Sequence, residues 1–418
     1  MDKVLCTFFP CGWRMQRDKI VAIIIIGGGY AQLPIIEEAK QLGYESIVVD
    51  DRPNIPAEKT ADTVLKVGRY DINAICSAIS KIKIDAIVTG GSDKGVLEMS
   101  LLAEKFGVPS YVSPNIARLP TEKNEMQSFL QSSGVHTPRT ITVSDKTELS
   151  IALKEIGYPA VIKPADGIGQ VAVSRVDNSE QAFTAFEQAC SISRNGTVLV
   201  QTFLEGGEFG VNGFVINGCF HLLTISERNA SQVSSNSFGV AYSKKYPAYS
   251  AMQFKDKIVT EVTKAVDSLG LRFSPIYCQL KLTNGQPIIL EIMPRLGGGE
   301  DPRLVHYATG VNICKATILA SLGMTFTLQD ITDEFHYDAV VMKFLVAKEG
   351  KITSISGLEE ARKVPFIKQI ICYALVNDSV KIRGSSSDRL GVVIAAGDTL
   401  ENVEFATETA SEKIKIIT

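Results

Sequence analysis

Between residues 20 and 118, short and wholly apolar runs alternate with stretches whose apolar residues recur every three or four positions. The run Ile20–Ile26 is β-branched and apolar throughout, as a strand covered on both faces requires, and Ser46–Val49 and Ala86–Thr89 are shorter versions of it. Leu33–Leu42 and Ile72–Ile82 carry helical spacing instead. Strand, turn and helix in repetition predict a parallel sheet with helices on both faces, a Rossmann-like unit over residues 20–119.

Near Pro120 the alternation stops. A helix is predicted from about Glu122, and Pro138 forces Thr137 out of the helical region into an extended stretch, Pro138–Val143. A helix Lys146–Ile156, strands Ala160–Lys163 and Val171–Val173, a helix ending at Cys190 and a strand Thr197–Gln201 make one small α+β lobe, residues 120–200. A second lobe, residues 201–330, carries strands near Phe209–Ile216 and Cys219–Ile225, then a polar loop Ser226–Tyr249 and a helix Asp256–Leu269. It continues with the hairpin Ile276–Leu282 and Pro287–Ile292, which turns at Thr283, Asn284 and Gly285, and a helix Ile313–Leu322 capped by Gly323. Residues 331–418 form a small, mainly β C-terminal unit with an amphipathic helix near Glu401–Ile414. The expected class is therefore α/β and α+β, in several domains, preceded by a poorly ordered extension, residues 1–19, within which Met15 is an alternative start.

A length of 418 residues suits two to four packed units, and an apolar share of 45% beside a charged share of 21% suits a globular enzyme. The net charge of −3, from 43 basic and 46 acidic residues without a block of either sign, argues against nucleic acid as a partner. No apolar run approaches the ~20 residues of a membrane-spanning helix, and the first residues lack the pattern of a secretory signal. Eight cysteines without metal-ligand spacing read as reduced thiols in a cytoplasmic protein.

Several segments carry candidate chemistry. Gly27, Gly28 and Gly29 follow a strand, with Asp50 or Asp51 about 20 residues on, as in dinucleotide sites; Gln32 stands where a third glycine belongs, so a nicotinamide oxidoreductase is a minor alternative. The loop Thr89–Gly95 offers Asp93, either to a substrate ammonium group or as a helix N-cap. In Val161–Gly169 a strand-end lysine, Lys163, precedes a glycine loop, which places a cation and backbone amides where a polyphosphate can lie. Lys123 opens a helix upstream, and the strand Val198–Val200 runs into Gln201, Thr202, Phe203 and Leu204, whose backbone can meet an adenine edge, while Glu208 can accept ribose hydroxyls. Gln279 and Glu291 are expected side by side on the hairpin, an oxygen pair suited to Mg2+, with an ion pair to Arg295 or Lys281 as the structural alternative.

In order and spacing, Lys123, VIKPADGIG, VQTFLEGGEFGVNG and YCQLKLTNGQPIILEIMPRLGGG resemble the ATP-grasp superfamily of carboxylate–amine ligases. The resemblance implies a two-lobed ATP-grasp core, with ATP and Mg2+ as cofactors. Lys123 and Lys163 would hold the α- and β-phosphates, Gly167 to Gly169 would form a lid, Gln201 to Leu204 the adenine hinge, Glu208 the ribose grip, and Gln279 with Glu291 the metal site. Arg295 matches the arginine of the family's E-x-N-P-R segment and would steady the transferring phosphoryl group, making it and Lys163 the catalytic residues. Met293 stands where that segment has Asn; a hard oxygen ligand is lost, which leaves a nucleotide-binding protein without turnover as an alternative, beside a carboxylase-type enzyme. The tail segments Ile355–Glu360 and Arg389–Gly397 are similar to the C-terminal domain of L-amino-acid ligases, which make dipeptides. The expected partners are small carboxylate and amine substrates, with amino acids among them; Arg303 and His306 are candidates for gripping a substrate carboxylate, and a homodimer is left open.

Overall fold

The computed structural model describes residues 21–167, 169–230, 240–382 and 384–418. The N-terminal extension, Ile20, Ile168 of the expected lid and residues 231–239 of the expected polar loop lie outside them.

The first sheet is parallel, in the spatial order Thr63–Leu65, Glu45–Val49, Ala22–Ile26, Ala86–Val88. Its central strand, Ala22–Ile26, is buried at every position, because it is paired on both sides and covered on both faces. Loops at the carboxyl ends of these strands carry the glycine run Gly27–Gly29 and the segment Gly90–Asp93. The helix Asp93–Phe106 is capped by Ser92, whose hydroxyl accepts from the Gly95 N–H, so capping, one of the two roles offered for Asp93, falls to its neighbour.

The small lobe is an antiparallel four-stranded sheet, ordered Thr140–Val143, Val198–Thr202, Ala160–Pro164, Ser174–Val176. Helices Lys146–Ile156 and Ser179–Ile192, capped by Asp145 and Asn178, close its apolar face over a separate core. The strand expected at Val171–Val173 lies three residues later, at Ser174–Val176. Gln170 and Ala172 adopt positive φ, and a chain turning through left-handed residues cannot continue a ladder.

The largest sheet has eight strands, ordered Gln286–Met293, Ser274–Thr283, Glu208–Ile216, Cys219–Ala230, Ala241–Tyr246, Ala339–Leu345, Gly391–Gly397, Ile367–Cys372. The stretch expected as a polar loop, Ser226–Tyr249, instead extends one strand to Ala230 and supplies another, Ala241–Tyr246, which pair as Glu227 with Lys245 and Arg228 with Lys244. The polar residues there are strand residues because their side chains find partners inside the protein. The C-terminal unit joins this sheet edge to edge: Lys343 pairs with Ser243, and its helix Leu400–Lys413 packs on strands Ala339–Leu345 and Gly391–Gly397. Helix Ile313–Ser321 packs on helix Leu33–Gln41, on Ala86–Val88 and on Ser274–Thr283, so one continuous apolar core joins the parallel sheet to the large one.

Candidate active site

A cleft of about 370 Å3 lies where the small lobe, the eight-stranded sheet, the Gly91–Lys94 loop and the C-terminal unit meet. Thirteen of the residues singled out above line it: Asp93, Lys123, Lys163, Gly167, Gly169, Gln201, Thr202, Phe203, Leu204, Glu208, Gln279, Glu291 and Arg295. Arg303 and His306 do not.

Lys163 projects from the strand Ala160–Pro164, whose apolar neighbours bury it to 8% exposure. Burial pushes its pKa down to about 8, Glu291 opposes the shift, and Lys123 adds to it. Lys163 thus faces both a second cation and a carboxylate, with no hydrogen-bonded counter-ion of its own among the described residues. Lys123, the first residue of helix Lys123–Ser132, donates from Nζ to the Gly167 carbonyl and from its backbone N–H to Ala165 O at 2.9 Å. Below the loop, Asp166 accepts from Arg194 Nε at 2.8 Å. At its far end Gly169 O accepts from the Ser386 N–H at 3.3 Å, so the glycine loop touches the C-terminal unit.

The segment Gln201–Leu204 leaves the small-lobe sheet under restraint. The Gln201 amide donates to Thr140 Oγ1 at 2.7 Å, the Thr202 N–H to Arg139 O at 3.0 Å, and Leu204 O accepts from Lys281 Nζ at 2.8 Å. The Phe203 ring lies under two cations, Arg175 at 4.4 Å and Lys281 at 5.3 Å from its centroid. Glu208, expected to meet ribose, accepts from Arg228 Nε at 2.8 Å and from Gln279 Nε2 at 2.6 Å, both through Oε1, which leaves Oε2 uncommitted.

Gln279 and Glu291 pair directly across the hairpin. The Gln279 amide nitrogen is spent on Glu208, so its carbonyl oxygen is free, and Glu291 has no hydrogen bond or ion pair among the described residues; the ion pairs offered as an alternative do not form. An amide oxygen beside an unpartnered carboxylate in a lysine-lined cleft is a donor set that fits Mg2+ sharing its shell with phosphate oxygens. Among the described residues no cluster of three His, Cys, Asp or Glu competes with it as a metal site. Arg295 is held by Asp93, Nε to Oδ1 at 2.6 Å, and its Nη2 lies 2.8 Å from the Met293 sulfur. Met293 is therefore buried against the guanidinium rather than turned toward the cleft.

Arg303 and His306 sit on helix Asp301–Thr309, on the side away from the cleft. Arg303 donates to Glu300 and to Glu37 of the N-terminal helix at 2.9 and 2.8 Å, and His306 meets Asp333 at 2.8 Å. Both are structural ties, because their polar groups are taken up by Glu300, Glu37 and Asp333. The glycine run is likewise occupied by packing: a Cβ on Gly28 would meet Ile55, Ala57 and Val48 within 3 Å. Burial would raise the Asp50 pKa, but Arg52 and the Gly28 N–H hold its carboxyl well below the usual range, and Arg69 is a third partner, so no oxygen is left for a ribose. Asp51 is exposed and meets Arg69.

Arg228, Lys244, Lys281 and Arg389 also line the cleft; Lys281 was named only as a possible ion-pair partner and Arg389 only within a tail segment, and none of the four was expected in the site. Lys244 is fully enclosed and pairs with Asp301 at 2.5 Å; burial pushes its pKa down to about 8 against the pull of Asp301. Arg228 also donates to the Tyr277 hydroxyl at 3.0 Å. A signal was available in the alternation that sets Ser226 and Arg228 on one face of their strand, with Lys244 paired to Arg228 on the next, but it is a polar alternation, to which a search for apolar periodicity is blind.

Comparison with known proteins agrees with this fold. Residues 121–299 match the ATP-grasp domain family, and residues 343–418 match the L-amino acid ligase C-terminal domain 2. Dapdiamide A synthase of Enterobacter agglomerans is 26% identical over 404 residues, 92% of each chain. Phosphoribosylamine–glycine ligase of Methanocaldococcus jannaschii is 24% identical over 94% of each. The crystal structure of the L-amino acid ligase from Bacillus licheniformis superposes with a TM-score of 0.79, at 22% identity, covering 96% of this chain and 99% of that one. Residues 121–299 thus carry an ATP-grasp domain and residues 343–418 an L-amino acid ligase C-terminal domain 2, and ATP with Mg2+ is the cofactor pair that ATP-grasp enzymes use.

Proposed function

From an ATP-grasp domain followed by a C-terminal unit of the L-amino acid ligase type, we propose that this protein forms an amide or peptide bond between a small carboxylate and an amine, at least one of them an amino acid, through an acyl phosphate. The observation that carries the reading is the meeting of Lys123, Lys163, Gln279, Glu291 and Arg295 in one cleft. ATP supplies the phosphoryl group that activates the carboxylate, and Gln279 with Glu291 would hold Mg2+, which would offset charge on the phosphoryl oxygens. Lys163 and Lys123 contribute two cations at the strand end and helix start, where a polyphosphate can lie along the glycine loop. Arg295 is held in one orientation by Asp93, so its guanidinium is aimed before the substrates arrive, and a donor fixed in advance stabilises developing charge without reorganising. Gly167 and Gly169, which line the cleft, would cover the phosphate end and keep water from the activated acid.

The test is ADP release by the full-length protein with ATP and Mg2+ over pairs of amino acids, with mass spectrometry of the product. A product whose mass is the sum of the two partners less one water supports the ligase. ATP binding without ADP release from any pair favours the alternative of a nucleotide-binding protein without turnover, to which the loss of an oxygen ligand at Met293 points.

A further inference from the structure

A second cavity, of about 620 Å3, lies behind the nucleotide cleft, between the Tyr30–Arg52 side of the parallel sheet and the C-terminal unit. The wall common to the two cavities is made of Gly91, Gly298, Gly299, Ser386 and Arg389. Three of these have no side chain, and the backbones of Gly91 and Gly298 are so close that a Cβ on Gly91 would lie 3.0 Å from the Gly298 Cα. The side chains on that wall are therefore Ser386 and Arg389. A Cβ on Gly299 would sit 2.9 Å from Arg389 Nη1, which places the guanidinium directly over the glycine turn.

Arg389 is unlike the cations around it. Arg228 has Glu208 and Lys244 has Asp301, but among the described residues no carboxylate lies within ion-pair distance of Arg389. Its Nη2 donates to Ala241 O at 2.5 Å, its plane stacks on Phe344 at 3.8 Å from the ring centroid, and its Nε is buried with no partner. Burial pushes its pKa down to about 10, and Arg228 adds to the shift. Three neighbouring cations thus share two carboxylates. A buried guanidinium without a counter-ion is costly, and a fork held by a ring and a carbonyl is shaped to accept a planar carboxylate.

Resting on the ligase reading above, we propose that Arg389 binds the free carboxylate of the second substrate, so that the amine acceptor is an amino acid that enters through the second cavity. Holding that carboxylate at the glycine wall lets the amino group face the nucleotide cleft. It also keeps the acceptor's own carboxylate from Lys163 and Arg295, where it would be activated in place of the donor.

The test is calorimetric titration of the twenty common L-amino acids, and of their C-terminal amides, into the full-length protein loaded with Mg2+ and a non-hydrolysable ATP analogue. At least one amino acid binds, and its amide binds about tenfold or more weakly. Arg389→Gln weakens the acid by about tenfold to a hundredfold and leaves the amide unchanged, while Arg389→Lys falls between. The thermal midpoint of Arg389→Gln stays level or rises, because an unpaired buried charge is removed; a residue that only braces Phe344 and Ala241 would lower it and weaken acid and amide alike. The proposal is overturned if no amino acid binds, if acid and amide bind the unaltered protein equally, or if Arg389→Gln weakens both to the same extent. Acid-selective binding with no ADP release from any pair would instead sink the ligase reading and leave the Arg389 assignment standing.

Discussion

Two regions of this molecule are buried by opposite means. The strand Ala22–Ile26 disappears into the parallel sheet because every side chain is apolar, and its burial needs no particular neighbour. The strands Cys219–Ala230 and Ala241–Tyr246 are buried just as deeply over Ser226, Arg228, Ser243 and Lys244, but each of those polar groups has a hydrogen-bond partner, often far away in the chain. The first kind of burial is additive and forgiving. The second is conditional, because a charge that loses its partner remains in the interior uncompensated.

The sharpest way to expose that difference is to break one conditional pair. Asp301→Ala strands Lys244 and is expected to cost about 3–5 kcal/mol in denaturant unfolding, with the double change Asp301→Leu and Lys244→Met recovering most of it. A loss below about 1 kcal/mol would mean that Lys244 is paired in name only. Lys163 belongs to neither kind, since on the proposed function its counter-charge would arrive with the nucleotide. Lys163→Ala, or Glu291→Ala, should cut ADP release by about a hundredfold or more while the unfolding midpoint holds, and turnover within threefold of the unaltered protein would remove these residues from the site.

The same lysine gives a pH signature. Its pKa in the folded protein is about 8, below the ordinary lysine value, so below pH 8 it is protonated both folded and unfolded, and the cost of burying its charge is fully present. Above pH 8 the folded protein releases a proton that the unfolded chain keeps, and this contribution to stability rises with pH until the unfolded lysine also titrates. Nucleotide binding runs the other way, because phosphates require the cation. Affinity for an ATP analogue should fall by up to about tenfold per pH unit above 8, with proton uptake on binding that differs between buffers of different ionisation enthalpy. Proton uptake that survives Lys163→Met would assign the effect elsewhere. The smallest effect belongs to the apolar strand: Ile24→Val should cost about 1 kcal/mol and leave ADP release unchanged.

Much of the fold was legible in the sequence for the reason this contrast suggests. Ala22–Ile26 and the Thr283–Gly285 hairpin announce themselves by local chemistry, but the pairing that sets Gln279 opposite Glu291 depends on a register shift between Gln279 and Leu280 that the turn alone does not dictate. Ser226–Tyr249 was illegible because its partners, Glu208 and Asp301, lie about 20 and 57 residues away in the chain, so composition suggests solvent where pairing supplies burial. The candidate site divides in the same way. The cleft residues that sit at strand ends and glycine loops could be picked out by order and spacing. Arg389 could not, because its neighbourhood of Phe344, Ala241 and Gly299 is assembled only by the sheet. Arg303 and His306 misled because a basic pair after a glycine turn looks free until the fold brings Glu37, Glu300 and Asp333 to it.

The continuity of the large sheet has a practical corollary. Cutting the chain ahead of Ala339 would not detach an accessory module; it would peel away the neighbour of Ala241–Tyr246 and leave the N–H and C=O groups that now meet Val340 to Lys343 as a raw seam. Such a seam recruits whatever extended chain is at hand. A truncated form should therefore precipitate or self-associate rather than persist as a smaller enzyme, and the last eighty residues must be kept in any fragment meant for study.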